Sequence, residues 1–99
     1  MSKYINLRWS NYRIQHIARH NITPEEVEEV IHRDKHRIIR KGATSDKFPG
    51  KYFYYIFGRT SEGRLLSLVL LHAGDIVYIP ITARDMDDSE RNYYLRKRR

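Results

Sequence analysis

The sequence contains no cysteine, which excludes disulfide bonds, thiolate zinc sites and cysteine nucleophiles. No apolar run approaches the ~20 residues that a membrane-spanning helix needs. No apolar signal-peptide stretch follows Lys3. A Gly-rich phosphate loop, a serine nucleophile elbow and an acidic metal cluster are also missing, so we expect no metal and no cofactor. These absences predict a cytoplasmic protein without a membrane-spanning segment, stabilised by packing alone.

The composition is that of one globular domain. Of 99 residues, 40% are hydrophobic, with eight Tyr, three Phe and one Trp, which is too aromatic for a disordered chain. We therefore expect a single domain over residues 1–99, with a core large enough for one sheet and two or three helices.

The charge is positive and unevenly distributed. The formal net charge is +7, yet residues 21–34 carry five acids against one arginine. Residues 35–65 carry eight cations against two acids, and the sequence ends Arg96-Lys97-Arg98-Arg99. Because the acids are segregated, the basic surface is not neutralised locally. Nucleic acid is the first partner class this predicts, and an acidic protein is the second.

Two N-terminal helices are marked by capping residues. Ser10 caps a predicted helix over residues 11–20, and Asn21 suits the left-handed conformation that ends it. Thr23-Pro24-Glu25-Glu26 has the threonine cap, the first-turn proline and the capping-box glutamate of a second helix. Val27, Val30 and Ile31 give that helix a buried face.

Alternating apolar residues predict a sheet, and a third helix follows it. The predicted strands are Tyr4–Trp9, His36–Arg40, Tyr52–Arg59, Leu65–His72 and Ile76–Thr82, with Gly42–Gly50 as a loop. Leu65–His72 is nearly continuously apolar, which predicts a central strand, and Pro80 predicts a sheet edge or a bulge. The last helix starts at Asp87 or Asp88, with capping-box spacing to Glu90. The order β-α-α-β-β-β-β-α indicates an α+β fold with a mainly antiparallel sheet.

The segment from Thr82 to Tyr94 is the richest in candidate chemistry. The end of the last predicted strand presents Arg84, and the helix that follows bears Glu90, Arg91 and Tyr94. A guanidinium can stabilise a phosphodiester and an acid or a phenol can transfer a proton. A strand-to-helix connection whose charges face water is the alternative interpretation.

Other candidates lie outside that segment. His20, beside Arg19, is a candidate proton carrier or phosphate contact, and equally a half-buried residue that caps the first helix. His16 and His20 are four residues apart, but the zincin glutamate and a third ligand are missing, so we predict no metal site. Arg59 and Arg64 flank a hairpin turn and are candidates to clamp phosphate. His72, at the end of the apolar strand, is placed near Arg84 or is a polar residue close to a turn.

These motifs together resemble the BrnT toxin family. The resemblance lies in Ile5-x-Leu7-x-Trp9-Ser10, Arg19-His20-Asn21-Ile22-Thr23, Gly63-Arg64-Leu65-Leu66, Thr82-Ala83-Arg84 and Glu90-Arg91-x-x-Tyr94, in family order. It implies a RelE-like fold and an RNA-cleaving toxin of a type II toxin–antitoxin pair. It also implies a small DNA-binding antitoxin as partner, with homo-oligomers formed through the antitoxin complex.

The resemblance also implies site residues. Arg64 and Arg84 match active-site arginines, His20 matches the family histidine, and Glu90, Arg91 and Tyr94 match positions of the C-terminal helix. Arg19 replaces the usual lysine, Asn21 replaces a glycine, and Leu71-His72 stands where the family often has Thr-Glu.

A metal-free mechanism follows as a hypothesis. His20 or Glu90 takes the proton of a ribose 2′-OH, the two arginines stabilise the attacked phosphate, and Tyr94 or His72 assists the leaving oxygen. Arg19, Arg59, His72 and Arg91 are the expected nucleic-acid contacts. The alternatives are a non-catalytic basic module that binds nucleic acid or a protein, and a structural subunit that self-associates through its apolar sheet.

Overall fold

The structure, a computed structural model, describes residues 4–98. Its elements are β1 (Asn6–Leu7), α1 (Asn11–Ala18), α2 (Pro24–Arg33), β2 (Ile38–Thr44), β3 (Tyr52–Arg59), β4 (Leu65–Gly74), β5 (Val77–Asp85) and α3 (Asp88–Lys97). The predicted α+β class and the predicted order are confirmed. Within this part of the chain, no helix is long and apolar enough to span a membrane.

The five strands form one sheet in the order β1-β5-β4-β3-β2. All pairs are antiparallel except β1 with β5, which is parallel. The prediction of a central apolar strand is confirmed, because β4 lies in the middle of the sheet. The bulge predicted at Pro80 is also confirmed: Val69 pairs with Thr82 and the next residue, Leu70, pairs with Pro80. Ile81 is thus the extra residue.

The helix caps are formed as predicted. The Ser10 hydroxyl accepts from the amide of Arg13, Thr23 and Glu26 make a reciprocal capping box, and Asn21 has a φ of 58°. Asp87 and Glu90 make the second capping box at the start of α3. These caps fix both ends of the α1–α2 connection and the first turn of α3.

Several element boundaries were predicted wrongly. Strand β2 begins at Ile38 and not at His36, β4 continues to Gly74, and β5 continues to Asp85. The first strand is limited to Asn6–Leu7, because only this segment reaches the edge of β5. Helix α1 ends at Ala18, two residues early, because the chain turns tightly toward Asn21. The start of the predicted loop at Gly42 belongs to β2, whose ladder with β3 continues to Thr44 through an irregularity.

The sheet carries helices on both faces. The larger core joins α1 and α2 to one face through Ile17, Val27, Val30, Ile56 and Leu68. Helix α3 covers part of the other face, where Met86 and Tyr94 pack with Ile38, Phe57 and Leu65. Gly58 lets α2 approach closely, since a Cβ there would lie 2.5 Å from Cγ1 of Val30.

Candidate functional site

Most of the predicted site residues gather at one end of the sheet, where β5 ends and β4 begins. Arg84 pairs with Ser67 and Asp85 pairs with Leu66 across the β4–β5 ladder. Because successive residues of a strand point to opposite faces, Arg84 faces the side of α3 and Asp85 the side of α1 and α2. We call the residues around these two positions the arginine site, and it has two halves.

The half on the α3 face is an ion pair between Arg84 and Glu90. Nη1 of Arg84 lies 2.7 Å from Oε1 of Glu90, and Nη2 lies 2.8 Å from Oε2, so the pair is bidentate. The side chain of Arg84 is 46% exposed and that of Glu90 is 18% exposed. The capping box holds Glu90 in place, since Oε1 also accepts from the amide of Asp87. An exposed guanidinium is therefore fixed on a half-buried carboxylate.

The other half is built around Arg64, whose guanidinium has no free donor. Nε and Nη2 donate to the two carboxylate oxygens of Asp85. Nη1 donates to Glu26 and to the carbonyl of Asn21, and Nη2 also donates to the carbonyl of His20. All five N–H groups are thus engaged. Arg64 joins the α1–α2 turn to α2 and β5, and its side chain is only 27% exposed.

Asp85 and Glu26 are the functional residues that the sequence did not reveal. The sequence predicts Glu26 only as the capping-box residue of the second helix and gives Asp85 no part in the site, yet both pair with Arg64. The sequence does contain a clue to Asp85: it directly follows Arg84 in a strand, so its side chain lies on the opposite face of the sheet from that of Arg84. The signal for Glu26 was weaker, because its capping-box role accounts for its presence and hides the second contact.

His20 and Arg91 lie close to the arginine site, and Arg19 precedes His20 in the chain. His20 is exposed. The hydrogen bond from Arg64 is the main cause of the lowered pKa of Asp85, and electrostatic interactions with His20 and Arg91 lower it further. Arg91 also approaches Asp88 at 3.7 Å. Arg19 is exposed at the end of α1, where its backbone amide donates to the carbonyls of His16 and Ile17. The structure thus places Arg84 and Glu90 on the α3 face at this end of the sheet, and the backbone of His20 beside Arg64 on the face of α1 and α2.

Tyr94 is not exposed to this site. It is 1% exposed, and its hydroxyl donates to Oδ2 of Asp34 at 2.7 Å. Burial and the carboxylate of Asp34 raise the pKa of Tyr94 to about 12, although the charges of Arg98 and Arg59 oppose the rise. The chemistry of this phenol is that of a neutral donor that fixes the end of α2 against α3.

His72 lies away from Arg84, and of its two predicted placements the structure shows the second, a polar residue close to a turn. It pairs with Tyr78, five positions along β4 from the pair of Ser67 with Arg84. Its ring stacks on Tyr78 at 4.5 Å and contacts the carbonyl oxygen of Asp75 through Nε2. His72 therefore belongs to the β4–β5 turn and not to the arginine site.

Arg59 is separated from Arg64, although the two residues flank the same hairpin. Its backbone amide donates to Oδ2 of Asp34, and its side chain lines a different concavity, with Arg33 and Arg98. Among residues 4–98, no group of three or more His, Cys, Asp or Glu side chains is arranged to hold a metal ion.

The carboxylates of the arginine site make stability depend on pH. The hydrogen bond from Arg84 lowers the pKa of Glu90 below its ordinary 4.5, and the hydrogen bond from Arg64 lowers that of Asp85 below 3.8. Groups with a lowered folded-state pKa stabilise the fold above the ordinary pKa, and this contribution is lost as the pH falls through the lowered value. We expect the free energy of unfolding to fall steadily below about pH 4.5.

Urea unfolding between pH 7 and pH 3 measures this dependence. Arg84→Gln is expected to flatten the acid limb, because Glu90 then has no cation to favour its ionised form. Arg96→Gln removes the same charge from an exposed position of α3 and is the control. Equal slopes for the two variants would contradict the assignment to the Arg84–Glu90 pair.

Fold and site together define an α+β protein with a two-sided, ion-paired arginine site. Comparison with protein-family models and with curated protein sequences gave no match. The function is therefore argued from the residues of the site.

Proposed function

We propose that this protein is an RNA-cleaving toxin of the type II toxin–antitoxin class, with the Arg84–Glu90 pair as its reactive centre. The observation that carries the proposal is the geometry of this pair: a bidentate, half-exposed guanidinium fixed on a carboxylate beside a partly uncovered sheet face. Because the guanidinium of Arg84 is 46% exposed, water screens part of its attraction to the carboxylate, and an incoming phosphate can replace Glu90 as its partner.

The replacement couples binding to proton transfer. While Arg84 holds Glu90, the pKa of Glu90 is lowered and the carboxylate is a weak base. When Arg84 turns to the phosphate, Glu90 loses the cation that lowers its pKa and becomes a stronger base. It then takes the proton of the 2′-OH, whose oxygen attacks phosphorus, while Arg84 stabilises the added negative charge. The P–O5′ bond breaks and leaves a 2′,3′-cyclic phosphate.

The leaving 5′-oxygen needs a proton, and His20 is the candidate donor. It is exposed, and an imidazole is the side chain that most often serves as a general acid. Tyr94 is buried in the core and His72 lies at the other end of the ladder, so neither is suited to this role. Arg64 supports the site from the opposite face by holding Asp85 and the carbonyl of His20.

The test is cleavage of a defined RNA by purified protein, with Arg84→Gln prepared in parallel. We expect wild-type protein to leave 2′,3′-cyclic phosphate ends, in the presence of EDTA as well, and to spare RNA with 2′-O-methyl riboses. Loss of the guanidinium should slow cleavage at least about 100-fold. Equal cleavage by wild type and variant would indicate a contaminating nuclease and refute the site.

The antitoxin partner is part of the same proposal. The motif resemblance supports a small DNA-binding protein that folds onto the toxin, and the net charge of +7 favours acidic segments in it. Expression in a bacterial host should arrest growth, and Arg84→Gln should relieve the arrest. Co-expression of a ribbon-helix-helix protein encoded by a neighbouring gene should also relieve the growth arrest. If expression of the wild type causes no growth arrest, the toxin assignment is contradicted.

A second candidate is a non-catalytic nucleic-acid-binding module, which one specific observation favours. Every donor of Arg64 is occupied by protein acceptors, which is typical of a structural arginine. This candidate predicts salt-sensitive binding of RNA without cleavage, and equal binding of 2′-hydroxyl and 2′-O-methyl strands.

A further inference from the structure

A group of cationic side chains lies outside the arginine site, in a cleft of about 240 Å³. The cleft lies between the end of α2, the β3–β4 hairpin and the end of α3. We call it the basic cleft, and its charged lining is Arg33, Asp34, Lys35, His36, Arg59 and Arg98.

The cations of the basic cleft differ from Arg64 and Arg84 in their lack of a counter-ion among the described residues. Within residues 4–98, no ion pair includes the side chain of Arg33, Lys35, Arg59 or Arg98. The one acid of the lining, Asp34, already accepts hydrogen bonds from other groups of the protein. Its Oδ1 accepts from the amide of His36, and its Oδ2 accepts from the amide of Arg59 and from the hydroxyl of Tyr94.

The ends of two helices do not neutralise this charge. The C-termini of α2 and α3 each contribute roughly half a negative charge, and the carboxylate of Asp34 contributes one. Glu29, which accepts from the amide of Ser61 in the lining, contributes another. Four cationic side chains exceed this sum, so the cleft remains positive. Holding like charges together costs free energy, which an anion bound between them recovers.

The chemistry of the lining selects the kind of anion. Guanidinium groups bind phosphate oxygens in bidentate geometry, and Arg33, Arg59 and Arg98 supply three of them. Among the described residues that line the cleft, His36 is the one with an aromatic ring, so the cleft offers little surface on which a base can stack. The lining therefore fits a phosphate group and offers little for recognition of a base.

The basic cleft opens at the same end of the sheet as the arginine site. Arg59 pairs with Leu65, and the next residue of β4, Leu66, pairs with Asp85. Strands β3 and β5 are thus separated by one strand, or about 10 Å. A chain molecule with regularly spaced phosphates can reach both places at once.

We propose that the basic cleft binds a backbone phosphate of single-stranded RNA, separately from the Arg84–Glu90 pair. This goes beyond the proposed function, because it concerns different residues and needs no cleavage. It assigns to Arg59 and Arg98 a role as anchors of the RNA strand.

The experiment uses a fluorescein-labelled 12-nucleotide RNA whose riboses are all 2′-O-methylated, so that binding is measured without cleavage. The variant Arg59→Gln/Arg98→Gln is compared with Lys47→Gln/Lys51→Gln, which removes two charges at the opposite end of β3. We expect the first to bind roughly ten-fold more weakly, with a salt slope smaller by about 0.7 for each phosphate that the cleft no longer neutralises. The second should bind within about two-fold of wild type.

Two further measurements test whether the effect comes from charge and whether RNA is the preferred partner. Arg59→Lys/Arg98→Lys keeps the charges but loses the bidentate geometry, so its affinity should lie between those of the wild type and the glutamine variant, which separates the effect of charge from that of a disturbed fold. An oligoglutamate of equal net charge tests for an acidic protein partner and should bind much more weakly than RNA.

Three results would overturn the proposal: an equal loss of affinity in both glutamine variants, no loss in Arg59→Gln/Arg98→Gln, or oligoglutamate binding as tight as RNA. Cleavage by the wild type with no role for the basic cleft would leave the proposed function standing and remove only this inference. RNA binding that depends on the basic cleft, without any cleavage, would support this inference and contradict the proposed function.

Discussion

Replacing Glu90 with glutamine is expected to slow RNA cleavage about a thousand-fold, while RNA binding is kept or strengthened. Cleavage falls because an amide cannot accept the proton of the 2′-OH. Binding does not fall, because the glutamine leaves Arg84 without its counter-ion and free to bind a phosphate. The two effects have opposite signs, which a general loss of structure would not produce.

The substitution is chosen so that the fold is retained. Glutamine can replace glutamate in a capping box, and its side-chain oxygen can still accept from the amide of Asp87. Asp88→Asn is the matched control: it removes one negative charge from the same helix turn, at a side chain that is 94% exposed and does not contact Arg84. The measurements are single-turnover cleavage of RNA and the affinity for its 2′-O-methyl analogue.

Each outcome is informative about the reactive centre. Cleavage at the wild-type rate would exclude Glu90 as the base. A parallel fall of cleavage and affinity would indicate a general loss of structure and would contradict the release of Arg84 by the substitution. An effect of Asp88→Asn as large as that of Glu90→Gln would attribute the result to the charge of the helix N-terminus alone.

Replacing Arg64 with alanine is expected to lower the free energy of unfolding by about 3 kcal/mol, more than a hundred-fold in the folding equilibrium. The substitution leaves Asp85 and Glu26 without a cation and removes the donors to the carbonyls of His20 and Asn21. The site is 27% exposed on the arginine side, so water can replace part of these interactions. This keeps the expected loss at the lower end of that for a buried ion pair.

The control is Arg59→Ala, which removes an arginine that has no ion-pair partner within residues 4–98. It is expected to change stability by less than about 0.5 kcal/mol. Arg64→Lys keeps the charge but has one nitrogen in place of three, so we expect about half of the loss. Urea unfolding at pH 7 measures all three variants. A loss of under about 1 kcal/mol for Arg64→Ala would contradict the structural role that the geometry gives to this residue.

The parts of the fold that local chemistry decides were predictable from the sequence. Ser10, Thr23 and Asp87 each mark a helix start with a side-chain oxygen, and each cap is formed. The apolar run of β4 indicated the centre of the sheet. The parallel pairing of β1 with β5 was not predictable, because no local pattern says which distant strand a short segment joins.

The candidate site was predictable as a set of residues and not as an arrangement. Arg84 and Glu90 follow from the strand end and the capping box. The division of Arg64 and Arg84 between opposite sheet faces follows only from the register, which pairs Asp85 with Leu66 and Arg84 with Ser67. The inward position of Tyr94 depends on Asp34, sixty positions away along the chain, and no spacing rule connects the two.

The topology also fixes when the arginine site can exist. His20 comes from the turn after the first helix, Arg64 from the start of β4, and Glu90 from α3. The β2–β3–β4–β5 meander can form early from neighbouring hairpins, whereas β1 has to wait for β5 before it has a partner. During synthesis, therefore, the ribosome carries a chain without an assembled site until α3 has emerged.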